Sequence, residues 1–149
     1  MGLFGMSVQT GAWGQMPAQS MTTTPMTPSV MATAPDLKCP LTSNCVNSLP
    51  GSALSPLTYS GTATQGMARL LRTLSGMPEV SITERNARFV TTIFTTTLGF
   101  RDEVVFVVAA EGGTIDYRSR SLLGLYDFGK NRSRMLDFIR RFQEHSARP

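Results

Sequence analysis

The chain has 149 residues, a formal charge of +4 and 16% charged residues, a size that suits one domain with a true core and is short for two. So modest a basic excess does not by itself select nucleic acid or an anionic surface as partner. Even the apolar run Val104 to Ala110 is strand-length, far below the roughly 18 residues of a membrane-spanning helix, so a soluble or peripheral protein is expected.

Residues 1–35 contain no Asp, Glu, Lys or Arg. With neither a basic n-region nor a continuous apolar run, and no arginine before Arg69, this stretch does not read as an intact secretory signal or transit peptide. Met16, Met21, Met26 and Met31 recur every five residues, a period that matches neither helix nor strand. Two readings stand: a disordered Pro/Thr tail, or an extended arm whose Phe4, Trp13 and spaced methionines fill apolar grooves on a partner.

From residue 36 to 60 the chain is punctuated by Pro40, Pro50, Gly51 and Pro56 and reads as a loop-rich lead-in. It contains "CPLTSNC", in which Cys39 and Cys45 are the two cysteines of the chain. His145 is the single histidine, too few partners for a four-ligand zinc site, so no metal is expected. The cysteines read as a structural pair, a disulfide in an oxidising compartment and two thiols in a reducing one.

A helix is predicted over Thr64 to Ser75, with Met67, Leu70, Leu71 and Leu74 on one face and Gly76 as its stop. Four strands follow, Glu79 to Glu84, Ala87 to Leu98, Glu103 to Ala110 and Thr114 to Ser121, all rich in Val, Ile, Thr and Phe, with "EGG" at Glu111 to Gly113 marking a hairpin. Short connections favour an antiparallel meander. The last helix is placed at Arg132 to His145, with Asn131 as N-cap and Met135, Leu136, Phe138, Ile139 and Phe142 as its buried stripe. The expected fold is an α+β two-layer sandwich: a four-stranded antiparallel sheet with both helices on one face, preceded by the arm.

Basic residues concentrate in "RSRSLLGLYDFGKNRSR", Arg118 to Arg134. Strand alternation puts Asp116, Arg118 and Arg120 on one face and Ile115, Tyr117, Ser119 and Ser121 on the other, with Ile115 and Tyr117 the better core candidates. Gly124 and Gly129 bracket "LYDF" and permit positive φ. Asp127 can accept backbone N–H groups or pair with an arginine. In a structural reading Asp127 ties Arg118 or Arg134 across the turn and Asn131 caps the helix. In a functional reading Arg118, Asp127, Asn131 and the free amides of the helix start, flanked by Lys130, Arg132 and Arg134, receive an anion, or the segment docks a protein.

"CPLTSNC", followed by Arg118-Ser119-x-Ser121 and then Gly124-x-x-Asp127-Phe128-Gly129-x-Asn131-Arg132-x-Arg134, resembles the domain of unknown function family 1499 over about Leu37 to Phe142. The sequence departs from that pattern at Leu122, where an arginine is usual, and at Arg120, where a small residue is common. The resemblance implies a compact α+β domain of bacteria and plastid-bearing eukaryotes, without an established reaction.

Catalysis finds no constellation: no Gly-rich phosphate loop, HExxH or paired carboxylates, and no serine or cysteine that spacing pairs with His145. No cofactor is implied, and no interleaved aromatics mark a nucleic-acid surface. The expectation is a non-catalytic accessory or assembly subunit that docks on a larger protein complex. For a photosynthetic source, the family's distribution points to a thylakoid photosystem complex in the plastid, with the protein lumenal or peripheral. The alternative is a small-molecule or anion-binding domain built on Arg118, Asp127 and Asn131.

Overall fold

A computed structural model describes residues 33–144. The elements follow in the order β1 (Cys45–Asn47), β2 (Leu57–Thr58), α1 (Ala63–Ser75), β3 (Val80–Arg85), β4 (Phe89–Thr95), β5 (Arg101–Val108), β6 (Thr114–Ser121) and α2 (Lys130–Glu144). The α+β class and the antiparallel meander are as expected; the strand count is not. The sheet has six strands in the order β1-β6-β5-β4-β3, with β2 also paired to β6 and every pairing antiparallel.

The two additional strands lie in the lead-in. With three and two residues, β1 and β2 are too short to show an alternation that sequence reading can detect. They share the free edge of β6, and Ser48 bridges the gap between them. Its N–H donates to the Tyr117 carbonyl, and its hydroxyl accepts from the Tyr117 N–H and donates to Asp116 Oδ1.

α1 starts from a capping box in which the Thr62 hydroxyl accepts from Gln65 N and Gln65 Oε1 accepts from Thr62 N. Cross-strand register brings Val90, Thr92 and Phe94 of β4 beside Phe106, Val104 and Asp102 of β5, and these beside Tyr117, Ser119 and Ser121 of β6. This is the face that packs with Met67, Leu70 and Leu74 of α1 and Met135, Phe138 and Phe142 of α2. The Phe106 and Phe138 rings meet at 4.9 Å. Ile115 and Tyr117 are fully buried, as alternation predicts. Burial, with the Asp116 charge beside it, pushes the Tyr117 hydroxyl up to about 12.

Leu136 departs from its predicted role: it is exposed. The helical period places Met135, Phe138 and Phe142 in the seam, and Leu136 one residue further round. Extended one turn back, the same seam reaches Asn131, which is buried with the apolar residues.

Candidate docking site at the loop end

β6 runs toward one end of the sheet, and β1 and β5 start from that end. Three loops therefore gather there: the Cys39–Cys45 loop, the β4–β5 turn at residues 96–100, and the β6–α2 connection at residues 122–129. Cys39 and Cys45 are joined in a disulfide with Cα atoms 5.6 Å apart, which closes the first loop. In the second, Gly99 takes φ 83°; Thr96 N donates to the Phe100 carbonyl, Gly99 N donates to the Thr96 carbonyl, and Phe100 N donates to the Thr96 hydroxyl.

The third loop is held from its inner side. The Ser43 hydroxyl donates to the Leu125 carbonyl at 2.5 Å, Asn44 Nδ2 donates to the Gly124 carbonyl at 2.7 Å, and Asp127 N donates to the Ser43 carbonyl at 3.2 Å. Gly124 and Gly129 take φ values of 86° and 77°, the left-handed conformations their positions predicted. Asp127 then serves the start of α2: its carboxylate accepts from Gly129 N, Asn131 N and Asn131 Nδ2 at 2.9, 2.9 and 2.7 Å. Partial burial acts to raise this carboxyl, but the three N–H donors outweigh it and leave it below the ordinary aspartate value.

Asn131 is the centre of the clasp. Its Oδ1 accepts from the Ser119 hydroxyl at 2.6 Å and from Arg134 Nη1 at 3.2 Å, and its Nδ2 reaches the Asn44 carbonyl at 3.0 Å and Ser121 Oγ at 3.1 Å. Arg134 continues to Asp102 Oδ2 at 2.5 Å, an ion pair whose side chains are 12% and 6% exposed. The Arg134 guanidinium also lies 5.3 Å from the Phe94 ring centroid.

These positions correct three expectations. Asp127 accepts amides and pairs with neither Arg118 nor Arg134, because both arginines have nearer carboxylates. Asn131 does not cap α2; it sits inside the first turn, where its side chain ties the helix to the sheet while Asp127 supplies the capping acceptor. Arg118 lies on the opposite face of β6 from Ser119 and Asn131, so Arg118, Asp127 and Asn131 do not line one pocket. Arg118 and Arg120 instead share Glu103 Oε1 at 2.9 and 2.8 Å, and Arg118 Nη1 also donates to the Asp36 carbonyl at 2.6 Å. Burial acts to raise the Glu103 carboxyl, yet the hydrogen bonds and charges of Arg120 and Arg118 hold it below the ordinary glutamate value.

Of the remaining motif residues, Ser119 and Ser121 belong to the clasp, and Arg132 and Lys130 are exposed. The arm residues Phe4, Trp13, Met16, Met21, Met26 and Met31, and His145, lie outside the described residues. An open depression of about 620 Å³ lined by Thr58, Tyr59, Ser60, Arg69 and Gln143 shares no residue with the motif.

The outer side of the same end is apolar. Ten large hydrophobic residues are exposed among the described residues, and eight of them stand on these three loops: Leu41, Leu98, Phe100, Leu122, Leu123, Leu125, Tyr126 and Phe128. Phe128 is 91% exposed and takes φ 52°, a left-handed conformation that costs a bulky residue on the order of 1 kcal/mol. Its ring lies 6.1 Å from that of Tyr126. Sequence reading did not single out this rim; the signal was "LLGLYDF", an apolar run inside a segment that glycines mark as a turn.

The fold and the loop end together define a two-layer α+β domain whose sheet terminates in a polar clasp beneath an apolar rim. Residues 37–142 match the family described as Protein of unknown function (DUF1499), and the chain belongs to that family. No curated protein matches the chain.

Proposed function

We infer that the domain is a non-catalytic accessory or assembly subunit that docks, through its loop end, on a larger membrane-embedded complex. One observation carries this reading: eight exposed large apolar residues gathered on adjacent loops at one end of the sheet. Side chains so placed do not contribute to the core of this domain, and exposed apolar side chains concentrated at one end of a domain and bordered by polar residues are a usual mark of an interaction surface. The clasp beneath it fixes the loop backbone before any partner arrives, which lowers the ordering entropy of binding. The uncharged arm of residues 1–35 serves in this reading as an extended staple. In a photosynthetic source, a thylakoid complex such as a photosystem is the first candidate.

Purification from the native source without denaturant tests the proposal. Co-migration with a large membrane complex, weakened about tenfold by Leu123→Ser combined with Phe128→Ser, is the expected result. A free monomer at native concentration overturns it.

A further inference from the structure

We propose that the surface the loop end meets is an anionic lipid bilayer, with the rim side chains entering the acyl boundary and the flanking cations meeting the headgroups. The proposal rests on the reading of the loop end as the attachment surface and refines it: the rim seats in the lipid at the margin of the membrane-embedded complex, and loss of that seat weakens association with the complex.

Shape is the first argument. The exposed apolar residues stand on separate loop tips and not on a helix face or a flat sheet face, and Phe128 and Leu98 are 91% and 85% exposed. Protein interfaces are packed as closely as protein interiors and need a matching pocket for each such side chain. Acyl chains accommodate protruding side chains of any shape. Composition is the second: leucines and phenylalanines for the apolar layer, with Tyr126, whose ring is apolar and whose hydroxyl is polar, suited to headgroup depth.

Charge complementarity decides the lipid class. Arg101, Lys130 and Arg132 border the rim, are exposed, and make no ion pair with another described residue. The carboxylates closest to them in the chain are occupied: Asp102 by Arg134, Glu103 by Arg118 and Arg120, and Asp127 by backbone and side-chain amides. Asp36, beside the exposed Lys38, accepts from the Lys38 N–H, and Glu79 at the start of β3 is the other exposed acid at this end. The field at the rim is therefore positive, and it attracts an anionic leaflet within a Debye length of about 10 Å. The attachment proposed is interfacial, carried by the loop side chains; no described helix is long and apolar enough to cross a membrane.

The full chain is floated with vesicles of equal parts phosphatidylglycerol and phosphatidylcholine, and with vesicles of phosphatidylcholine alone. The expected partition is at least about tenfold higher on the anionic vesicles and falls steeply at about 0.5 M salt. It drops about tenfold for Leu125→Ser combined with Phe128→Ser, and likewise for Arg101→Gln, Lys130→Gln and Arg132→Gln together, while the melting midpoint stays unchanged. Phe128→Trp in a Trp13→Phe background shows blue-shifted emission with anionic vesicles only. Equal binding to both vesicle types, binding indifferent to these substitutions, or no binding overturns the lipid assignment. If vesicle binding is absent but co-migration with the native complex persists, the docking reading stands and the rim meets protein; if both are absent, both fall.

Discussion

Between Ser121 and Arg134 the chain carries two populations of side chains on one backbone. Asp127, Asn131 and Arg134 turn inward, and each finds two or more polar partners. Leu123, Leu125, Tyr126 and Phe128 turn outward into solvent. The inward set explains why the segment is ordered and why its polar motif has fixed spacing. It does not explain why an ordered loop presents leucines and aromatics to water, since serine or asparagine at those positions would leave the clasp intact. The inward residues answer to folding; under the docking proposal the outward residues answer to a partner, although both sets lie along the same short stretch of the β6–α2 connection and the start of α2.

That division can be broken most forcefully at Arg134. Arg134→Met strands the Asp102 carboxylate, 6% exposed, and is expected to lower the free energy of unfolding by about 3–5 kcal/mol. Asp102→Asn added to Arg134→Met should recover part of the loss, because the uncompensated charge is gone. Chemical denaturation measures both, and a loss below about 1 kcal/mol would show that the pair is not buried in solution.

Asn131→Ala comes next. It leaves the Ser119 hydroxyl without its acceptor and takes one of two donors from the Asn44 carbonyl, which keeps Ser121 N; a destabilisation of about 2–4 kcal/mol is expected, from the ~1–3 kcal/mol attached to an orphaned buried group together with the other hydrogen bonds lost at roughly 1 kcal/mol each.

Asp127→Ala should remove about 1–3 kcal/mol by freeing the amides at the start of α2. It also bears on pH. Asp127 and Glu103 are both held below their ordinary values of 3.8 and 4.5, so the unfolded chain takes up protons before the folded one. Their contribution is complete above those values and disappears as the pH falls through the depressed ones. Melting midpoints followed from pH 6 to the acid limit, roughly pH 2, should therefore decline for the native chain and decline less for Asp127→Ala. A parallel decline in the two proteins would remove Asp127 from the pH dependence.

The smallest effect sharpens the contrast from the other side. Leu125→Ser with Phe128→Ser should change stability by no more than about 0.5 kcal/mol, as exposed substitutions do. A thermal melt that moved by many degrees would place those side chains in the folding balance and dissolve the distinction between the two sets.

The helices, the four long strands and the core face of β6 were legible because each has a period: Met67, Leu70 and Leu74 at helical spacing, and Ile115 and Tyr117 alternating with arginines. β1 and β2 were hidden because strands of three and two residues carry no period, and their pairing depends on an edge made much later in the chain. The clasp was half legible. Asn131 lies four residues before Met135, in phase with Phe138 and Phe142, so its burial could be read from the helical seam. In "RDEVVFVV" the phase of Val104, Phe106 and Val108 likewise assigns Asp102 to the covered face, where a carboxylate requires a cation. Which cation answers it, and that Arg118 turns to Glu103 on the far side of the sheet, depends on strand register and is set only in three dimensions.

The sheet's strand order also imposes a timetable on synthesis. Among the described strands β1 and β2 pair with β6 alone, so on the ribosome they emerge long before Thr114–Ser121 exists to receive them. Hairpins β3–β4 and β4–β5 are local and can close first, since neighbouring strands meet quickly and distant ones slowly. Until the last strand is translated, the segment from Leu37 to Thr58 remains an unpaired nascent stretch, with Cys39 and Cys45 open to whatever thiol chemistry its compartment supplies. Growth of the final strand seals that edge, and the bonds from Ser43 and Asn44 to residues 124 and 125 bring the beginning and the end of the domain together in a single late step.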